Sequence, residues 1–381
     1  MRAGDGRAAR RAPYIGELSP APPGAPLPRT HPSPMPRTRP TIADVAQAAS
    51  VSKATVSAVL NDSGPVAPET RARVLRAVET LNFRPARGTA RAGAGRSLGV
   101  LVKELDNPYF AGVIAGARAY AEERGYALLL ASSERDATAE RRAIGLLTAA
   151  DISGLIVTPV LDEDSDLSHL FDLRRRNIPF VLLGGIRGVP ASLVGVDNQA
   201  AARSAADHLI ALGHERLVHF TGPPSSTQAG ERAAGVQSAC AAAGLRFTAD
   251  DVIPAGAHLD DGYRAALAYF TDRPSDQMPT AVTCFNDLVA IGVCRALAEL
   301  GLRVPEDVSV VGYDDIPLLA YLPVPLTTVR VPTDEMGRVA AELLLRHVEE
   351  GSAAATERVT LSAELVVRRS TQAPRADAVV A

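Results

Sequence analysis

The sequence predicts a multidomain chain, with a small all-α domain near the N-terminus followed by a longer α/β region folded as two lobes. Residues 41–81 show only the helical spacing of apolar side chains. From residue 98 onward, strand-length and helix-length runs alternate for about 270 residues, too long for one doubly wound sheet. The 381 residues are 46% hydrophobic and 22% charged, enough apolar material for several cores.

Residues 1–40 hold 10 of the chain's 28 prolines and almost no apolar periodicity. They read as a disordered Pro/Arg-rich extension that cannot bury enough surface to fold. Met35 stands just before the first ordered pattern, so translation beginning there is an open alternative. No apolar stretch follows the early arginines, and no run approaches a membrane span, so the expected location is cytoplasmic, without a membrane partner.

Three short helices are expected between 41 and 84. Thr41 can cap the first, with Asp44 three residues on, and Ile42, Val45, Ala46 and Ala49 form one apolar stripe. Ser50, Val51 and Ser52 make a turn, and Ser52 can cap a second helix that turns Val56, Val59 and Leu60 inward. Its outward face then carries Lys53, Ala54, Ser57, Ala58 and Asn61. Pro68 and Glu69 suit the first turn of a third helix, whose expected buried face is Val74, Leu75, Val78 and Leu81. Two short helices across a tight turn, with small polar residues and Lys exposed on the second, are the helix-turn-helix pattern.

In the α/β region the expected strands are 98–102, 127–130, 155–157, 180–183 and 193–196, then 217–220, 252–253, 281–284 and 308–311. Helices are expected near 110–124, 140–149, 199–212, 230–243, 260–271 and 287–300. Lobe 1 is assigned to about 98–196 and 304–332, lobe 2 to about 197–303 and 333–370, and 371–381 to a disordered tail. A ligand belongs in the crevice at the carboxyl ends of such strands.

The net charge of −3 conceals an uneven split. Residues 1–97 carry 15 Lys/Arg against 6 Asp/Glu, a net +9, while the remainder carries −12. A basic front module is the footprint of a polyanion binder, although a basic tail would give the same count. Cys240, Cys284 and Cys294 show neither paired nor zinc-ligand spacing and read as core thiols. No metal site and no cofactor are expected. The glycines 93, 95 and 99 precede a strand instead of following one, and no P-loop, GxSxG or HExxH is present, so an enzyme is not expected.

The segment TIADVAQAASVSKATVSAVLN at 41–61 closely resembles the N-terminal signature of the LacI/GalR family of bacterial transcriptional regulators. Further blocks match in the family's order: DNPYF at 106–110, VDN at 196–198, LGHER at 212–216, ND at 286–287, VSVVGYDD at 308–315 and LTTV at 326–329. The resemblance implies a helix-turn-helix DNA-binding domain (41–84), a hinge (85–97), and an effector-binding and dimerisation domain (98–370) like the periplasmic sugar-binding proteins. It implies a homodimer, a repressor, bound to double-stranded DNA at a pseudo-palindromic operator and controlled by a small effector, a sugar or sugar derivative. The alternatives are a purine-responsive regulator and a solute-binding protein without a DNA function.

By the same resemblance Lys53, Ala54 and Ala58 read bases, while Ser52, Thr55, Ser57 and Asn61 touch phosphates, with Arg87 and Arg91 tracking phosphates from the hinge. Many family members carry Arg where Ala58 stands, and a minor-groove Leu where Ala92 stands. Ala is too small for an unstacking wedge, and Gly88, Gly93 and Gly95 disfavour a hinge helix. The matching effector contacts are Asp106, Asn107, Tyr109, Phe110, Arg232, Asn286 and Asp287. A carboxylate and a guanidinium together can hold sugar hydroxyls in fixed geometry. Where some members stack an aromatic on the ligand, this chain has Ala257 and His258.

Overall fold

The computed structural model describes residues 41–60, 64–81, 96–160, 166–185, 189–350 and 355–375. The chain divides into two compact units, residues 1–91 and 92–381. In the first unit α1 (Ile42–Ala48), α2 (Lys53–Leu60) and α3 (Pro68–Thr80) surround a small core of Val45, Ala46, Ala49, Val56, Val59, Val74 and Ala77. The Thr41 backbone N–H and hydroxyl both donate to Asp44 Oδ2, at 2.6 and 2.8 Å, which fixes the start of α1. Ser52 Oγ accepts from Thr55 N at 3.0 Å and starts α2. Leu75, expected inside, is 47% exposed. Val74, Ala77 and Val78 already face the core, and Leu75 lies about 100° round the helix from Val74.

The second unit holds two six-stranded sheets. The first runs in the order β11-β5-β4-β3-β1-β2, from β1 (Arg96–Val102), β2 (Tyr126–Ser132), β3 (Gly154–Val157), β4 (Phe180–Leu183), β5 (Ser192–Val196) and β11 (Arg358–Leu361), all parallel. Helices α4 (Tyr109–Glu122), α5 (Ala137–Ala149), α6 (Ser168–Arg175) and α11 (Thr333–Glu350) belong to this lobe. The second sheet runs β12-β10-β9-β8-β6-β7, from β6 (Leu217–Thr221), β7 (Val252–Pro254), β8 (Ala281–Cys284), β9 (Ser309–Asp314), β10 (Thr327–Arg330) and β12 (Glu364–Val366). Its α7 (Asn198–Ala211), α8 (Thr227–Ala242), α9 (Leu259–Phe270) and α10 (Asp287–Glu299) cover the two faces. β12 is antiparallel to β10.

This pairing corrects the lobe boundaries expected from sequence. β9 lies beside β8, with Ala281 opposite Ser309, and β10 lies beside β9, so 304–332 belongs to lobe 2. α11 packs on α4 in lobe 1, where Gly116 and Gly337 let the two backbones meet: a Cβ on Gly116 would fall 1.8 Å from the Asp334 carbonyl oxygen. The chain therefore passes between lobes three times, after β5, after β10 and after β11. The start of the expected tail is also corrected. Gln372 O accepts from His214 Nε2 at 2.9 Å, and Thr371 Oγ1 lies 3.0 Å from His208 Nε2, so 371–375 is laid against lobe 2. His214, from the LGHER block, also bonds Thr280 and Ser309, and Gly213 turns the chain toward it with φ +95°.

Candidate functional site

A cavity of about 470 Å³ lies between the lobes, at the carboxyl ends of both sheets. Lobe 1 contributes Lys103 and Glu104 after β1, Arg135 after β2 and Thr158 after β3. Lobe 2 contributes Phe285 and Asn286 after β8 and Asp314 at the end of β9, and Asn198 and Arg232 close the floor.

Arg232 is 7% exposed and held from four sides. Its Nε donates to Asn198 Oδ1 at 3.0 Å and its Nη1 to the Phe285 carbonyl at 2.5 Å. The guanidinium stacks 3.5 Å from the centre of the Tyr313 ring, and Asp314 Oδ1 lies 3.9 Å from Nη1. Burial raises the Asp314 carboxyl to about 7 against the opposing pull of Arg232, and Glu104 across the cavity pushes it the same way. Asn286 is rigid: Oδ1 caps α10 through Val289 N and Nδ2 donates to Ala257 O, both at 2.9 Å. Asn107 likewise has both polar atoms engaged, accepting from Tyr109 N and donating to Glu104 Oε1. A buried carboxylate beside a fixed guanidinium can accept and donate to adjacent hydroxyls, and the apolar surfaces of Phe110 and Phe285 suit the C–H face of a ring.

Of the residues expected in the cleft, Asn107, Tyr109, Phe110, Arg232 and Asn286 line the cavity, whereas Asp106 and Asp287 do not. Asp106 is exposed. Asp287 is completely buried, with Oδ1 accepting from Thr328 Oγ1 at 2.6 Å and Oδ2 from Ile316 N at 2.9 Å, so it is a brace between α10, β10 and the segment after β9. Burial, and Asp314 behind it, push its carboxyl well above the usual range. The cavity carboxylate that faces Arg232 is Asp314, a residue of the VSVVGYDD block that was not among the expected effector contacts. Lys103, Glu104, Arg135, Thr158 and Asn198 were missed as well. The available signal was position: each sits at or just past a strand's carboxyl end, or opens the helix that follows.

In the first unit Ser52, Lys53 and Ala54 are exposed at the start of α2, and Thr55, Ser57 and Ala58 are half-buried along it. Ser52 and Thr55 share a hydroxyl contact of 2.9 Å. Asn61, Arg87 and Arg91, and most of the expected hinge, lie outside the described residues. No described helix is long and apolar enough to cross a membrane.

Residues 41–86 match the pattern of bacterial regulatory proteins of the lacI family, and residues 206–371 match a periplasmic binding protein-like domain. The chain is 33% identical to the HTH-type transcriptional repressor PurR of Photobacterium profundum, over 87% of this chain and 98% of that protein. Among solved structures it is similar to the complex of the transcriptional regulator CelR with cellobiose (33% identity, TM-score 0.66, 87% of this chain and 100% of that one). It is also similar to the lac repressor dimer bound to operator and the anti-inducer ONPF (27% identity, TM-score 0.66, 88% and 100%). An exposed helix-turn-helix face, a two-lobed cavity and relatives that match nearly end to end agree: the chain belongs to the lacI family of bacterial regulatory proteins, DNA-binding transcriptional regulators under small-molecule control, and is not an enzyme.

Proposed function

We propose that this regulator is a repressor that binds a pseudo-palindromic operator as a homodimer, and that a sugar or sugar derivative in the interlobe cavity sets its operator affinity. The observation that carries the reading is the Arg232–Asp314 pair in a cavity walled by both lobes. A molecule bridging the two walls favours one lobe arrangement over others, and by linkage any effect it has on DNA affinity is matched by the effect of DNA on its own binding. The similarity to a regulator solved with cellobiose supports a sugar, and the similarity to an operator-bound dimer supports the homodimer. The relatives named PurR favour a purine as the second reading.

In this reading Lys53 donates to guanine acceptors and Ala54 and Ala58 meet thymine methyls, while Ser52, Thr55 and Ser57 contact phosphates. Effector contacts come from Arg232, Asp314, Asn286, Tyr109 and Phe110. The test is a thermal-shift screen of sugars and purines, paired with gel shifts on DNA upstream of the regulator's own gene and its neighbours. A sugar at 100 times its Kd is expected to stabilise by about 2.7 kcal/mol and to change operator affinity, and Asp314→Asn is expected to lose both effects while still binding DNA. Stabilisation by purines alone would move the effector to the second reading. A chain that binds none of that DNA at low salt would end the repressor reading.

A further inference from the structure

The lobe 1 end of the cavity holds polar atoms that the protein leaves unused. Among the described residues three buried side-chain polar atoms lack a hydrogen-bond partner, and two of them, Glu104 Oε2 and Thr158 Oγ1, belong to residues lining this cavity. Glu104 is 5% and Thr158 6% exposed. Asn107 occupies Glu104 Oε1, while Oε2 has only His258 Nε2 at 3.5 Å and Arg135 Nη1 at 3.7 Å, neither within hydrogen-bond range. An orphaned buried polar atom is costly, so two in one wall point to an occupant that satisfies them. Beside them Lys103 lines the same wall, its ammonium pulled down to about 8 by burial and by Arg135. Glu134 and Arg135 both hold left-handed backbone angles, φ +46° and +60°, and Arg135 Nη1 reaches His258 Nε2 in the other lobe. Strain of this kind persists where the surroundings enforce it.

We propose that Glu104, Thr158 and Lys103 form a second sugar subsite facing the Arg232–Asp314 pair, so that the effector is a neutral saccharide of two or more rings. The inference rests on the reading that the cavity takes a sugar. A hydroxyl satisfies this wall because it donates to Glu104 Oε2 while accepting from Lys103. A phosphate monoester at pH 7 is mostly the doubly charged acceptor, so beside Glu104 Oε2 it sets like charges side by side. The two polar groups occupy opposite walls of about 470 Å³, a volume in the range that encloses a drug-sized ligand.

Calorimetric titration of the full chain with cellobiose, maltose, glucose, glucose 6-phosphate and hypoxanthine tests this. One of the disaccharides is expected to bind at least tenfold tighter than glucose. Glu104→Gln and Thr158→Val are each expected to weaken the disaccharide about tenfold more than they weaken glucose, without lowering the melting temperature of the unliganded protein. Asp314→Asn is expected to lose both sugars. If glucose equals the disaccharides and the two lobe 1 variants change neither, the subsite falls while the sugar reading stands. Preference for glucose 6-phosphate that disappears in Lys103→Met overturns the neutral effector. Heat from hypoxanthine alone, or from nothing, ends both readings, and a large loss of unliganded stability in both lobe 1 variants would make Glu104 and Thr158 structural instead.

Discussion

Asp314 and Asp315 end β9 with φ of +119° and +62°, conformations that residues with a Cβ adopt only under constraint. The turn aims Asp314 at Arg232 and leaves Asp315 paired with Arg330 and Arg368. Burial raises Asp314 to about 7, against about 3.9 in an unfolded chain. Between these values the folded chain keeps a proton that the unfolded chain releases. The stabilisation is therefore complete below about pH 4 and lost as pH rises through 7. Asp314→Asn cannot lose a proton, so its stability relative to the native chain is expected to improve by about 1–3 kcal/mol between pH 5 and pH 8. Urea unfolding midpoints at the two pH values check this, and a difference independent of pH would contradict it. Asp314 and Asp287 together mark the limit of what local sequence tells. Asp287 and Asp314 both stand at the carboxyl side of a strand, and local sequence does not say which faces the cavity. That is decided by Thr328 and Ile316, which arrive from 41 and 29 residues away and claim both oxygens of Asp287.

Helices were legible where their own periodicity buried them. α2 and α10 follow their apolar spacing, and the expected caps Thr41 and Ser52 sit where small polar residues precede apolar runs, whereas α10 is capped by Asn286, which was expected only as an effector contact. α11 was not among the expected helices, and its residues were assigned to the other lobe, because which sheet it covers is settled by a close crossing with α4 that local sequence does not reveal. Gly116 and Gly337 mark the α4–α11 crossing, and Gly112 meets Thr333 there too. Gly116→Ala sets a methyl against the Asp334 carbonyl oxygen and is expected to cost about 3 kcal/mol or more, at the upper end of overpacking penalties. Gly145, in α5, has open space where its Cβ would be, so Gly145→Ala is expected to add about 0.5–1 kcal/mol. Denaturation of the pair side by side checks the argument, and equal effects would refute the close approach. The short terminal strands β11 and β12 were not legible. Each is three or four residues long and is defined by its partner, β5 or β10.

At the scale of the molecule, charge and connectivity separate two tasks. Residues 1–40 account for +5 of the front end's +9, leaving +4 for 41–97. Direct base contacts give specificity, and charge gives mainly salt-dependent affinity. A chain begun at Met35 is therefore expected to keep its preference for operator over random DNA while binding both more weakly at low salt. Competition gel shifts at two salt concentrations measure this, and a collapse of the preference would assign base reading to the tail.

The three passages between lobes also set an order of construction. Lobe 1 has five of its strands once residue 196 has been made, yet it lacks α11 and β11 until residue 361, and lobe 2 waits for β12 at 364–366. During synthesis, at about 5–20 residues per second, neither lobe is complete until almost the whole chain has left the ribosome. The three-helix unit, by contrast, has all its helices by residue 80. A nascent chain thus carries all three helices of the first unit well before both walls of the interlobe cavity are complete.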